Sequence, residues 1–206
     1  MTLTVTDLTV ARGGLPVLAG LSFSVEPGQV LVLRGANGIG KTTLLRTLAG
    51  LQPAVSGQIV MPEDQAAYAS HADGVKAQLT VAENLAFWAE VHGQSVTEEI
   101  FAIFDLLDLR HRQAGTLSAG QKRRLGLARL GVIGRPILLL DEPTVSLDRF
   151  SVKLFADFIR DRHLATGGVA VIATHIDLGL EARELDLEPY RARPGDVTGS
   201  SDEAFL

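Results

Sequence analysis

The chain has 206 residues, of which 46% are hydrophobic and 21% charged, and this is enough apolar material for the core of one folded domain. Such a composition excludes a disordered or collagen-like chain. The 19 basic and 24 acidic side chains give a net charge of −5, so we expect no nucleic-acid partner. Cysteine is absent, which excludes disulfides and thiolate metal sites and favours a reducing compartment such as the cytoplasm.

The first part of the chain predicts an antiparallel sheet. Short β-branched segments cover residues 3–6, 8–10 and 17–25, with glycine and proline between them. A continuously apolar run over Val30–Leu33, typical of a strand buried on both faces, follows and ends near a glycine. Leucines at helical spacing then predict a helix over Lys41–Leu51. Strand, glycine loop and helix in this order indicate a nucleotide-binding fold.

The middle of the chain, approximately residues 80–134, predicts a helical subdomain. Thr80 begins a capping-box pattern, and Thr97 and Ser118 are suitable N-caps for two further helices. This helical stretch lies between the two segments that carry the nucleotide chemistry described below.

The pattern of buried strands returns after the helical stretch. Apolar runs at 137–140 and 169–173 predict strands, with a helix over 149–164 between them. Strands that alternate with helices predict an α/β fold built on a parallel sheet. We therefore expect one nucleotide-binding domain over residues 1–193 and a flexible tail, rich in glycine, serine and acidic residues, over 194–206.

No apolar run is long enough to predict a membrane span. The densest, residues 137–140, stops at Asp141, whereas a spanning helix needs about 20 apolar residues. The segment Met1–Asp7 lacks the basic stretch that opens a secretory signal. If this protein serves a membrane process, we expect another chain to supply the span.

A glycine-rich segment between the strand and the helix matches the phosphate-loop pattern in full. Its glycines let backbone N–H groups curl around phosphate, Lys41 can reach the β and γ oxygens, and Thr42 can ligate Mg²⁺. The dipole of the helix that begins at Lys41 favours the same anion. The predicted ATP-binding residues are Gly35, Ala36, Asn37, Gly38, Ile39, Gly40, Lys41, Thr42 and Thr43. The alternative is an ordinary glycine turn.

Two carboxylates follow the second buried strand. Asp141 would stand at the carboxyl edge of the sheet, where it can hold the water shell of the metal. Glu142 would place a second carboxylate near the γ-phosphate, suited to a general base that polarises the attacking water. The alternative is a pair of surface acids at the start of a loop.

These segments and three more resemble the nucleotide-binding domain of ATP-binding cassette (ABC) transporters. The further segments are Leu117-Ser118-Ala119-Gly120-Gln121, which matches the signature motif, Ser146-Leu147-Asp148, and His175. From the residues alone, Ser118 can cap a helix and Gly120 can let backbone N–H groups approach a phosphate. A lone capped helix start, or a lone histidine at a strand end, is more often structural.

The resemblance to ABC cassettes implies a shared active site. In the family, the signature motif of one subunit meets the γ-phosphate of ATP held by the phosphate loop of the other. Two cassettes thus enclose two ATP molecules, and hydrolysis requires a homodimer. The resemblance also places Ser146–Asp148 across the dimer seam and gives His175 contact with the γ-phosphate, beside the catalytic Glu142.

Two positions depart from the general cassette pattern. Cassettes usually stack an aromatic on adenine in the segment that here reads Val10-Ala11-Arg12-Gly13, and the guanidinium of Arg12 could stack instead. The loop that normally presents glutamine to Mg²⁺ and water corresponds here to residues 68–76, from Tyr68 and Ala69 onward, with His71 near the glutamine position. This histidine is either a Q-loop equivalent that orients water or an ordinary surface residue.

Within the cassettes the sequence resembles the CcmA family, the ATPase subunits of bacterial cytochrome c maturation. The resemblance rests on His71–Lys76, Leu79–Leu85, Gln121–Arg129, Glu142–Asp148 and Ala173–Leu180. It implies a peripheral ATPase on the cytoplasmic face of the inner membrane. Its implied partners are an integral membrane subunit like CcmB and further maturation proteins, including the haem chaperone CcmE, in haem export or in release of the loaded chaperone.

Three further points concern haem binding, a basic run and alternative functions. The five histidines are scattered and no cysteine attachment motif exists, so we expect no direct haem ligand in this chain. The basic run Lys122-Arg123-Arg124 predicts a solvated helix face without a ligand. Two alternative functions stay open: the ATPase subunit of another ABC exporter, and a non-transport cassette ATPase acting on ribosomes or DNA, which the acidic balance disfavours.

Overall fold

The computed structural model describes residues 2–61, 64–70 and 72–193. Within these residues the chain forms an antiparallel sheet, a parallel sheet and the helices that pack on them. The predicted tail over 194–206 and the predicted loop residue His71 lie outside the described residues.

Strands and helices alternate through most of the chain. The strands are β1 (Leu3–Arg12), β2 (Leu15–Val25), β3 (Val30–Arg34), β4 (Ser56–Val60), β5 (Ala66–Ala69), β6 (Ile137–Asp141), β7 (Val169–Ala173) and β8 (Arg183–Asp186). The α-helices are α1 (Lys41–Leu48), α2 (Val81–Val91), α3 (Glu98–Ile103), α4 (Ala119–Ile133) and α5 (Arg149–Phe158). A π-helical turn over Ile159–His163 extends α5.

The antiparallel sheet has the strand order β2-β1-β4. Its central strand is continuous, whereas the sequence predicted two segments. Asp7 has a φ of 48°, and the pairing with β2 shifts register between Val5 and Leu8, so the strand bulges there without ending. Gly57 of β4 lies against the bulge, where an added Cβ would be 2.4 Å from the Asp7 carbonyl oxygen. Position 57 therefore requires glycine.

The parallel sheet has the order β5-β6-β7-β3-β8, which confirms the predicted α/β class. The three central strands are those that the apolar runs predicted. The two edge strands were not predicted, because they are short and Arg183–Asp186 is polar. Tyr68 and Ala69 belong to β5, so their assignment to a loop was wrong.

Side chains of the central strands alternate between two cores. One core lies between the parallel sheet and the helical part of the chain and contains Val30, Val32, Leu138, Leu140, Ala170 and Ile172. The other lies against the antiparallel sheet and α1 and contains Leu31, Leu33, Ile137, Leu139, Val169 and Val171. Because both faces of the sheet are covered, its central strands are apolar on both faces.

The helices begin where the sequence predicted them, and one ends earlier than predicted. Thr80 and Ser118 form complete capping boxes at the starts of α2 and α4, and Thr97 precedes α3. Helix α1 ends at Leu48, before its predicted end, whereas the helical stretch that begins with α5 continues through the π-helical turn to His163, close to its predicted end. No helix among the described residues is long and apolar enough to cross a membrane.

Candidate active site

The glycine-rich loop between β3 and α1 curls back on itself. Gly35, Gly38 and Gly40 have φ values of 136°, 84° and 124°, which side chains with a Cβ rarely adopt. The buried Lys41 points into this curl, and its Nζ donates to the carbonyl oxygens of Gly35 (2.7 Å) and Ala36 (3.2 Å). The ammonium group of Lys41 is thus held against the backbone of the loop.

The first turn of α1 directs its backbone amides toward the same loop. Leu44 N donates to Gly40 O, which is the first intrahelical bond. Among the described residues, none accepts a hydrogen bond from the amides of Lys41, Thr42 and Thr43. These donors and the helix dipole make the loop an anion-binding site.

Two carboxylates stand at the end of β6. Asp141 is buried, and the hydroxyl of Tyr68 on β5 donates to its Oδ2 at 3.3 Å. Burial, with the nearby Asp141 carboxylate, raises the pKa of Tyr68 to about 12, so the tyrosine remains a donor. Glu142 follows with a φ of 48°, and its amide donates to Ala173 O on β7.

Loop and carboxylates share one cleft of about 230 Å³. Its lining combines phosphate-loop residues with both acids and one arginine: Arg12, Asn37, Gly38, Gly40, Lys41, Thr42, Thr43, Asp141 and Glu142. The Thr42 hydroxyl and the Asp141 carboxylate are hard oxygen donors of the kind that suits Mg²⁺ held jointly with substrate phosphates. The donor set therefore fits the predicted ion.

His175 lies beside this cleft, just after β7. Its Nε2 is 3.0 Å from Asn37 Oδ1 and 3.4 Å from Glu142 Oε1, and 56% of the side chain is exposed. Arg34 of β3 fixes the preceding residue by donating to Thr174 O at 2.8 Å. The structure thus brings His175, Glu142 and the phosphate loop together, and the role of His175 at the γ-phosphate stays a prediction.

The start of α4 carries the predicted signature residues and lies elsewhere. Ser118 Oγ accepts from Gln121 N, and Gln121 Oε1 accepts from Ser118 N. Among the described residues, none accepts from the amides of Ala119 and Gly120. Residues 117–121 are not among the described residues that line the cleft. The start of α4 therefore offers hydrogen-bond donors for an anion, but these donors lie outside the cleft of the same chain.

The segment after Glu142 leads to α5 and touches the start of α4. A Cβ added to Gly120 would be 3.4 Å from Ser146 O, and Ser146 has a φ of 68°. Asp148 caps α5, because its Oδ1 accepts from Ser151 N at 2.8 Å. This hydrogen bond holds the pKa of Asp148 below its usual value. Asp148 therefore has a structural role, and its predicted role at a dimer seam stays a prediction.

Comparisons with known proteins agree on one family. The profile of the ABC transporter family matches residues 18–145. A protein from Roseobacter denitrificans, named cytochrome c biogenesis ATP-binding export protein CcmA, is 61% identical over 207 residues and covers 100% of both chains. The protein of the same name from Ruegeria pomeroyi is 65% identical and covers 96% of each. The chain belongs to the CcmA family of ABC transporter ATP-binding proteins.

The CcmA-family chain also shares its fold with a solved structure. An ATP-binding protein of an ABC transporter from Pyrococcus furiosus superposes with a TM-score of 0.81 at 25% identity. The match covers 93% of this chain and 100% of that one. The CcmA-family chain is an ATP hydrolase of the ABC cassette type.

The prediction for the basic run Lys122–Arg124 of this CcmA-family chain was also wrong. Arg123 belongs to the basic run expected to form a solvated face, yet its side chain is only 3% exposed. The neighbouring Arg124 pairs with Asp105. The buried guanidinium of Arg123 bonds to the segment after β6 and to the segment after β5, which the sequence did not reveal because these partners are distant in the chain.

Two other residues of the site, Tyr68 and Arg12, differed in how far the sequence revealed them. Tyr68 was read as loop and missed as the donor to Asp141, although an aromatic hydroxyl at a strand end is a recognisable cue. Arg12 is exposed at the end of β1 and lines the cleft with the phosphate loop. Its stacking on a base stays a prediction.

Proposed function

We propose that two copies of this CcmA-family chain close on two ATP molecules, hydrolyse them and drive a separate membrane subunit in cytochrome c biogenesis. The main support is a division within one chain. The phosphate loop and the carboxylates share a cleft, whereas the amides of Ala119 and Gly120, from which no described residue accepts, lie outside it. A second copy arranged head to tail would supply those amides to the cleft of the first.

The phosphates would be bound by the loop. Lys41 Nζ would exchange its bonds to Gly35 O and Ala36 O for phosphate oxygens, and the unpaired amides of α1 would donate to the same group. Thr42 and Asp141 would hold Mg²⁺, which when bound neutralises charge on the β- and γ-phosphates. Tyr68 keeps the Asp141 carboxylate oriented through its hydroxyl.

Glu142 would act as the general base. Its carboxylate lines the cleft at the sheet edge, where it can accept a proton from water attacking the γ-phosphate. His175, 3.4 Å away, would orient that carboxylate and contact the γ-phosphate. Ser118 and Gly120 of the second copy would complete the phosphate shell and stabilise charge in the transition state.

The transport role is supported by the relatives named as export proteins of cytochrome c biogenesis. Under this proposal the chain lies peripherally on the cytoplasmic face of the inner membrane. Closure of the dimer would move an integral membrane subunit like CcmB. To check this assembly, we would co-express the tagged chain with a CcmB-like protein and purify in detergent. Stable co-elution is expected, and separate elution would contradict the membrane partnership.

Glu142→Gln tests the proposed active site. We expect turnover to fall at least about 100-fold, because the amide cannot take the proton, while ATP affinity stays unchanged. ATP should also convert the variant into a dimer in sedimentation. Glu188→Gln, which makes the same change at an exposed pair with Arg191, is the control and should match the wild type. Hydrolysis by Glu142→Gln at the wild-type rate would remove Glu142 from the base role.

A further inference from the structure

Arg123 on α4 uses all three guanidinium nitrogens inside the protein. Its Nε donates to Pro143 O at 2.8 Å and its Nη2 to Glu142 O at 3.0 Å. Its Nη1 donates to Ser70 O at 2.8 Å and pairs with Asp73 Oδ1 at 3.1 Å. One buried side chain thus joins the segment after β6 to the segment after β5.

The backbone that Arg123 binds is strained. Glu142 has a φ of 48°, in the left-handed region that residues with a Cβ rarely adopt. Such a conformation persists only where the surroundings fix it from several directions. Ala173 O accepts from the amide of Glu142, and Arg123 binds its carbonyl and that of Pro143. The peptide units on both sides of the Glu142 Cα are therefore held.

This backbone conformation decides where the carboxylate points. Rotation about the Glu142 backbone would swing the side chain away from the phosphate loop and from His175, which lies 3.4 Å from it. We infer that Arg123 is a positioning residue, which aims the Glu142 carboxylate by fixing the Glu142–Pro143 backbone. The inference rests on the base role proposed for Glu142.

The contact of α4 with the segment after β5 sets where Arg123 sits. Gly126, one turn along α4, lets the helix approach that segment, since an added Cβ would be 2.8 Å from Asp73 O. Asp73 then balances the charge of the buried guanidinium, which would otherwise be costly to bury. The orientation of the Glu142 carboxylate thus depends on the position of Ser70 and Asp73 beside α4.

Lysine cannot replace arginine in this arrangement. The planar fork of Arg123 reaches two consecutive carbonyls on one side and Ser70 and Asp73 on the other, with fixed angles between its donors. An ammonium group keeps the charge but is a single donor centre. Arg123→Lys therefore removes the positioning function and retains the charge.

The test compares Arg123→Lys with the wild type and with Glu142→Gln in steady-state ATP hydrolysis. We expect kcat to fall about 10–100-fold while KM for ATP stays within about threefold, since only the aim of the base changes. With MgATP, Arg123→Lys should accumulate a dimer as Glu142→Gln does. Arg160→Gln, which removes an exposed arginine paired with Asp157, is the control and should keep wild-type kcat.

A second, milder variant tests the same role in case Arg123→Lys does not fold. Asp73→Asn touches a partner of Arg123 but not the cleft, and we expect a drop in kcat of about threefold or more at unchanged KM. Circular dichroism and thermal melting check that each variant is folded. Wild-type kcat in folded Arg123→Lys or Asp73→Asn, while Glu142→Gln is inactive, would overturn the positioning role alone. If Glu142→Gln itself is active, the base role fails instead.

Discussion

The starts of α2 and α4 are built in the same way and differ in what they leave available. In α2, Thr80 Oγ1 accepts from Glu83 N, and the Glu83 carboxylate accepts from Thr80 N. Ser118 and Gln121 exchange the same two bonds at the start of α4. Both helices therefore begin where the sequence pattern predicts: a hydroxyl residue followed three positions later by a glutamate or glutamine.

The difference lies in the next two amides. At α2, Val81 N donates to Arg112 O and Ala82 N donates to Arg110 O, so the chain itself satisfies every amide of the first turn. At α4, the amides of Ala119 and Gly120 have no acceptor among the described residues. A capping box thus fixes where a helix begins, and tertiary contacts decide whether its donors remain for a ligand.

Arginine substitutions at the two caps give the largest contrast. Ser118→Arg would place a bulky cation where the phosphate of a second copy is proposed to bind, and we expect ATP turnover to fall about 100-fold. Nucleotide binding by the single chain should persist, because the phosphate loop is untouched. Thr80→Arg is the matched control: it loses cap stability but should keep near-normal turnover. ATPase assays and fluorescent-nucleotide binding check this, and an active Ser118→Arg would refute the shared site.

Alanine at the same positions sharpens the contrast with a milder change. Thr80→Ala and Ser118→Ala should each lower the free energy of unfolding by about 1 kcal/mol, or the melting temperature by about 2–4 °C, through loss of a cap. Only Ser118→Ala should also lower kcat, by about 10-fold, because a hydroxyl bond to a charged phosphate is lost. Equal kcat for both variants would show that the two helix starts are equivalent.

Acid titration gives the smallest expected effect. Hydrogen bonds from the Thr80 amide and hydroxyl lower the pKa of Glu83, so the folded state favours its carboxylate. The cap therefore stabilises the fold above the unfolded pKa of about 4.5 and loses that contribution as the pH falls. The difference in urea midpoint between the wild type and Glu83→Gln should shrink from pH 7 to pH 4. A difference that grew on acidification would contradict this sign.

Local patterns predicted the elements and the cleft because both depend on residues close in sequence. The apolar runs over Ile137–Leu140 and Val169–Ala173 marked the buried strands, since a strand covered on both faces must be apolar throughout. The phosphate loop and Asp141 lie directly at strand ends, so the order of elements was enough to bring them together.

Features that depend on distant contacts were not visible in the sequence. The edge strand Arg183–Asp186 is mostly polar and most of its side chains are exposed, so no apolar run distinguishes it from a loop. Arg123 resembles its charged neighbours, and its burial follows from carbonyls at Ser70 and Glu142, remote in the chain. The bulge at Asp7 similarly depends on Gly57 across the sheet.

Mixing two inactive variants tests the central claim most directly. Lys41→Ala disables the phosphate loop, and Ser118→Arg blocks the start of α4, so each alone should hydrolyse little ATP. In a mixed dimer one site combines the intact loop of one copy with the intact helix start of the other. An equal mixture should therefore regain about a quarter of the wild-type rate. A mixture no more active than its separate components, with mixed dimers present, would contradict the shared active site.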